Sequence, residues 1–185
     1  MKKLIGLALA TCMTVSVQAK EVGSVTLPDT MKAGDQELTL NGAGVRSKFF
    51  MDIYSAGLYL PQQQKDAKAI VSADKPMALR LHITSGLLSG DKMVAATTEG
   101  FEKSTHGNTK PIQPSIDKLI NAFKADISPN DVFDLVYKPG VGVEVYKNGQ
   151  LKTAAEGLEF KKALFGIWLS DEPVQKDLKA ELLGG

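Results

Sequence analysis

Apolar and polar residues alternate with a two-residue period across residues 77–84. Leu79, Leu81 and Ile83 share one face, and Arg80, His82 and Thr84 the other. That period predicts a strand buried on one side, with Arg80 on its solvated face. Residues 22–27, ended by Pro28-Asp29, and residues 37–41 predict two shorter strands, the second followed by a turn at Gly42 and Gly44. Residues 45–60 are rich in β-branched and aromatic side chains and stop at Pro61. They predict one long strand, or two joined by a bulge near Ser47-Lys48. Residues 65–72 read as a short helix. Further along, Ser89-Gly90-Asp91 can begin a longer helix that runs to about Lys103 and is broken by Gly107-Asn108. A further helix at 111–125 places Ile112, Ile116, Leu119, Ile120 and Phe123 on one face. Strands at 131–137 and 142–146 flank a Lys138-Pro139-Gly140 turn, and the hairpin dipeptide Asn148-Gly149 leads into a strand at 150–154. Helices at 158–169 and 174–183 close the chain, separated by Asp171-Glu172-Pro173. Strands, then helices, then hairpins, then helices predict an α+β fold: a mainly antiparallel sheet with helices on one side.

The N-terminus changes that picture in one respect. Lys2 and Lys3 precede an apolar stretch at 4–17 and the small-residue site Val17-Gln18-Ala19. Residues 1–19 therefore read as a secretory signal peptide, leaving 20–185 as one domain with one core. Leu9-Ala10-Thr11-Cys12 loosely resembles a lipobox, but Thr11 fits that motif poorly and a better cleavage site follows. The apolar stretch is short for a membrane span, and no later segment approaches one. Cys12 is the only cysteine. Residues 20–185 thus hold no disulfide, thiol nucleophile or thiolate metal site, which fits a bacterial periplasmic protein. Without Lys2 and Lys3, 20 of the 22 basic residues remain, one fewer than the 21 acidic ones. No strong field draws the chain to nucleic acid or to an anionic membrane.

Familiar catalytic machinery is missing from the sequence. There is no His-Glu-x-x-His helix, no Gly-x-Ser-x-Gly elbow, no phosphate-cradling loop and no dinucleotide fingerprint. His82 and His106 are the only histidines and lack evident carboxylate partners, so neither a metal nor a cofactor is expected. Arg46 stands out instead, one of two arginines, set inside the largely apolar run 40–61. A guanidinium is a planar fork that grips a carboxylate or an enolate through parallel hydrogen bonds. Tyr54 lies eight residues on, and an even separation on one unbroken strand puts both side chains on the same face. The pair suits an anion. Equally, Arg46 suits a buried carbonyl or a surface acid. Phe160, Leu164, Phe165, Ile167 and Trp168 form a bulky helix surface, which serves as core, as a cavity wall, or as both.

Gly44-Val45-Arg46-Ser47-Lys48, followed by Tyr54-Ser55-Ala56-Gly57-Leu58-Tyr59-Leu60, resembles the start of the chalcone isomerase-like superfamily. The tail Ala163-Leu164-Phe165-Gly166-Ile167-Trp168-Leu169, with Pro173-Val174 and Leu178-Lys179, is similar to the closing helices of its bacterial secreted members. The resemblance implies an open-faced β-sandwich: an antiparallel sheet packed against a layer of helices, with a cleft between them. In the isomerases the matching arginine supports an intramolecular cyclisation; in the fatty-acid-binding branch the arginine and a tyrosine hold a carboxylate. Arg46 matches that arginine, and Tyr54 falls where the fatty-acid-binding branch has its tyrosine. Aligned by hand from the Leu88-Ser89-Gly90 turn, Met93 stands where the isomerases have a catalytic tyrosine and Gly100 where they have an asparagine. Neither donates a side-chain hydrogen bond, whereas Met93 gives a soft apolar wall. The resemblance thus implies binding of a small amphipathic carboxylate such as a fatty acid. Arg46 and Tyr54 would hold the head, and Met93, Phe165 and Trp168 would line the tail channel. The alternative is an isomerase or intramolecular lyase acting on an enone or phenol through Arg46. A third reading has the cleft vestigial and the work done through an unidentified protein partner.

Overall fold

The computed structural model describes residues 19–185, so nearly all of the expected signal segment, Cys12 included, lies outside the described residues. Two strands, β1 (Ala19–Val22) and β2 (Val25–Pro28), make a separate hairpin. Seven more form one antiparallel sheet in chain order. They are β3 (Thr30–Ala33), β4 (Gln36–Lys48), β5 (Met51–Leu60), β6 (Met77–Ile83), β7 (Val132–Lys138), β8 (Gly142–Lys147) and β9 (Gln150–Ala155). Helices α1 (Ala67–Ser72) and α2 (Gly90–Ser104) follow β5 and β6. A single 3₁₀ turn (Lys110–Ile112) and α3 (Gln113–Phe123) lead to β7; α4 (Leu158–Leu169) and α5 (Lys176–Leu182) end the chain. The expected α+β layout of antiparallel sheet and helix layer is what the structure has.

Alternation divides the sheet into two faces. Tyr54, Ala56 and Leu58 of β5, Leu79, Leu81 and Ile83 of β6, Phe133 and Leu135 of β7 and Val143 and Val145 of β8 join the helices in the main core. On the other face Tyr59, Ala78 and Val136 pack with Leu38 and Ala33, and the β1–β2 hairpin covers Ala43 through Val22 and Leu27. Arg80, expected to be solvated, is instead half-buried on that outer face. Its Nε and Nη2 donate to the two Asp134 carboxylate oxygens at 2.7 and 2.8 Å, because Asp134 is its cross-strand partner on β7. The helices start where side chains can cap them: Asp66 accepts from the Ala69 amide and Ser89 from the Lys92 amide. Lys161, on α4, is wholly buried. Its ammonium donates to the Ile70, Val71 and Ala73 carbonyls at 2.7–2.9 Å and so closes the C-terminus of α1.

Four sequence expectations change. Residues 45–60 are not one strand but a hairpin, with β4 turning into β5 at Phe49 and Phe50, whose φ values are 52° and 63°. Bulky residues in this left-handed region cost about 1–2 kcal/mol each. The turn carries none of the usual turn residues, so the sequence there continues the strand pattern. Gly42 and Gly44 are not a turn but the middle of β4. A Cβ on Gly42 would lie 2.2 Å from the Glu181 carbonyl oxygen, so these glycines let α5 rest against the strand. The expected strand 22–27 is split by a turn at Gly23 (φ 61°) into β1 and β2, and β3 went unforeseen. The last helix starts at Lys176 rather than 174, which leaves Val174 in the preceding loop.

Candidate ligand-binding cleft

β4 and β5 are paired with two register shifts, and the second builds the site. Lys48 faces Met51 and Ser47 faces Asp52, which alone would set Arg46 opposite Ile53. Ile53 is an extra residue on β5, so Arg46 faces Tyr54 instead. Directly opposed residues share a face, and Tyr54 belongs to the helix-side core. The expected shared face is therefore present, through a bulged cross-strand pair rather than even spacing along one strand. The first shift makes Asn41 the extra residue on β4. Its amide nitrogen donates to the Leu182 carbonyl at 2.9 Å and its oxygen accepts from the Gln64 amide at 2.7 Å, fixing α5 to the sheet.

Between sheet and helices lies a cavity of about 740 Å³, within the range of roughly 300–1,000 Å³ common for small-molecule sites. Arg46, Ile53, Tyr54 and Leu81 line it from the sheet; Met93, Thr97 and Gly100 from α2; Phe123 from α3; Ile167 and Trp168 from α4. Its rim carries Lys48, Phe49, Met51, Leu87, Lys92, Glu99 and Lys103. Among the residues expected at the site, Arg46, Tyr54, Met93 and Trp168 meet here. Phe165 does not: it lies in the main core, outside the cavity lining, so α4 presents Ile167 and Trp168 to the cleft instead. Thr97 was not anticipated; it is a mostly buried polar side chain on the α2 face turned to the cavity. His82 lies on β6 and His106 just after α2, and neither lines the cavity.

The polar end of the cleft is preorganised. The Trp168 indole donates to the Tyr54 hydroxyl at 2.9 Å. A hydroxyl both accepts and donates, and no protein acceptor takes the Tyr54 proton among the described residues. Burial pushes the phenol up to about 12, against the opposing pull of the Trp168 hydrogen bond and the Arg46 charge. Tyr54 is therefore a neutral donor near pH 7, with a cation close by. Arg46 is steered by Gln175, the residue before α5. Gln175 Oε1 accepts from Arg46 Nη1 and from the Ser47 amide, both at 3.0 Å, and its Nε2 donates to the Val45 carbonyl at 3.4 Å. Arg46 Nη1 also donates to the Ser47 carbonyl. Nε and Nη2 of Arg46 have no protein partner among the described residues. A phenolic donor, a fixed guanidinium and an apolar chamber behind them can hold a small anion with a hydrophobic tail.

A family model described as chalcone isomerase-like matches residues 19–184. The chain belongs to that family. No curated protein is similar enough in sequence to match this chalcone isomerase-like chain. Among solved structures, a fatty-acid binding protein of Arabidopsis thaliana superposes with a TM-score of 0.69 at 17% identity, over 90% of this chain and 96% of that one. At that identity the likeness establishes the fold: the antiparallel sheet and helix layer of the chalcone isomerase type. Met93 and Gly100, expected from the resemblance to stand where the isomerases have polar residues, both line the cavity. Gly100 has a packing reason of its own, since a Cβ there would lie 2.8 Å from an Ile167 methyl on α4.

Proposed function

We propose that this protein binds an amphipathic carboxylate without transforming it, a fatty acid being the best fit, and that it does so in the periplasm once residues 1–19 are removed. The observation that carries this reading is the pairing of Arg46 with a neutral, unspent Tyr54 hydroxyl on an apolar cavity of ligand size. The carboxylate would lie against both donors and the tail against Met93, Ile167 and Trp168. The name of the Arabidopsis neighbour supports the same ligand class. Turnover of an enone is less well supported, because Met93 and Gly100 offer no group to orient a ketone or a phenol.

The test is native mass spectrometry of residues 20–185, followed by denaturing extraction. Wild type should carry a stoichiometric carboxylate. Arg46→Ala should bind oleate roughly 10- to 150-fold more weakly, the scale of a hydrogen bond to a charged group. Arg46→Lys should also lose affinity, since a point charge does not replace the fork. Equal oleate affinity in wild type and Arg46→Ala sinks the proposal, and turnover of a chalcone that depends on Arg46 replaces it with the isomerase reading.

A further inference from the structure

The loop that makes the β4–β5 hairpin is costly in backbone and bare in side chain. Phe49 and Phe50 both have positive φ, the same geometry that the β8–β9 loop adopts with Asn148 (52°) and Gly149 (77°). Asn-Gly is the usual chemistry for such a turn, and this chain uses it where only the turn matters. At the first hairpin it holds two phenylalanines there instead, with relative exposures of 79% and 107%. Half-exposed Met51 and Leu87 extend the apolar surface, and both, with Phe49, also line the rim of the cavity. The prong therefore stands at the mouth of the cleft.

We propose that the Phe49-Phe50 prong docks this protein on a lipid bilayer with the cavity mouth turned to the membrane. The inference deepens the carboxylate-binding reading, since a bilayer is the natural reservoir of such a ligand. Two rings on a narrow turn suit the headgroup region, where aromatic side chains seat readily. The flanking cations fit as well. Lys48 Nζ lies 5.6 Å from the Phe49 ring centre, and Lys92 Nζ donates to the Leu87 carbonyl. Neither lysine has a carboxylate partner among the described residues. Of the nearby acids, Glu99 is paired with Lys103, while Asp52, hydrogen-bonded to the neutral Ser47 hydroxyl at 2.8 Å, and Glu172 keep their charge. With the overall charge close to balance, no long-range field does the work. The rings carry the docking, and Lys48 and Lys92 give it a preference for anionic lipid.

The experiment is flotation of residues 20–185 with vesicles of phosphatidylglycerol and phosphatidylethanolamine, compared with phosphatidylcholine alone. Oleate binding is measured in parallel, without vesicles, through the fluorescence of Trp168. Phe50 does not line the cavity, and Phe50→Gly relieves the turn, so this variant should fold at least as well as wild type. Wild type is expected to float, more strongly with the anionic vesicles. Phe50→Gly should lose about tenfold or more in partitioning while keeping its oleate affinity. Lys92→Gln should lose about fivefold on anionic vesicles alone. A wild type that stays unbound to every vesicle overturns the docking. So does a Phe50→Gly variant that floats as wild type does, or a prong that instead pairs two copies of the chain, seen as a dimer in sedimentation that Phe50→Gly dissolves. Flotation that depends on Phe50 in a protein that binds no oleate supports the docking and removes the carboxylate reading alone.

Discussion

Tyr54 has room for two partners through one oxygen. It accepts from Trp168, which fixes the phenol, and the proton left over is available to a ligand. Tyr54→Phe keeps the ring and removes only the oxygen. Two losses should follow. Oleate affinity should fall by about 0.5–1.5 kcal/mol, the worth of one neutral hydrogen bond. The Trp168 indole, buried and deprived of its acceptor, should cost the fold about 1–3 kcal/mol in urea unfolding. Trp168→Phe made together with Tyr54→Phe should recover part of that stability, because the stranded donor goes too, but none of the affinity, read here by native mass spectrometry since the variant lacks the chain's single tryptophan. A double variant that regains binding would show that the hydroxyl never met the ligand. Arg46 could be picked out from sequence because arginine is rare in this chain and sits in an apolar run. Gln175, which orients it across 129 positions, has no local signature, since a glutamine before a helix looks like any polar loop residue.

At the scale of elements, the legible parts were those whose cause is local. The strand at 77–83 shows in its alternation, α2 in Ser89-Gly90-Asp91, and the β8–β9 hairpin in Asn148-Gly149. The β4–β5 hairpin was not legible, because Phe49-Phe50 carries the apolar pattern of the strands on either side through the turn. The Ile53 bulge, which decides that Arg46 meets Tyr54, has no sequence mark either. Gly42 and Gly44 invited a turn because their true reason, the approach of α5, comes from the far end of the chain. That approach is testable, and the two glycines differ. At Gly42 an added Cβ meets backbone, the Glu181 and Leu182 carbonyl oxygens at 2.2 and 2.5 Å. At Gly44 it meets the Glu181 carboxylate, which can swing away, but also the Glu181 Cβ at 2.7 Å, which moves only with α5 itself. Gly42→Ala and Gly44→Ala should therefore each destabilise by about 1–3 kcal/mol, the range for overpacking, with Gly42→Ala, which meets two carbonyl oxygens, the worse. Thermal unfolding of the two variants decides; an unchanged midpoint in both would mean that α5 does not bear on β4 as described.

Across the whole molecule the four tyrosines tie the two faces of the sheet to one pH dependence. Tyr54 and Tyr137 lie on the helix side, Tyr59 and Tyr146 on the outer side. Each is held above the ordinary phenol value of 10. Burial raises Tyr54 to about 12. Burial also raises Tyr59, whose hydroxyl donates to the Pro28 carbonyl. Burial and the Asp74 hydrogen bond raise Tyr137 to about 12, and the bond to Glu144, then burial, raises Tyr146 to about 12. A phenol whose proton is held more tightly folded than unfolded contributes stability that is complete below pH 10 and is lost as pH rises through the folded value. Between about pH 10 and 12 the native protein binds more protons than the unfolded chain, so stability must fall with pH across that window. The ultraviolet absorbance of tyrosinate reports this directly. The native protein should show no tyrosinate step near pH 10, then a steep, cooperative rise toward pH 12 as the fold gives way. In urea all four residues should titrate together near 10. One native tyrosine ionising near 10 would place its hydroxyl in water, and if Tyr54→Phe removed that step, the closed, apolar polar-end geometry of the cleft would be wrong. A saturating carboxylate adds a second, opposite check. Its charge beside Tyr54 disfavours the phenolate further, so bound oleate should move the onset of unfolding to higher pH in wild type, and at the same oleate concentration less far in Arg46→Ala.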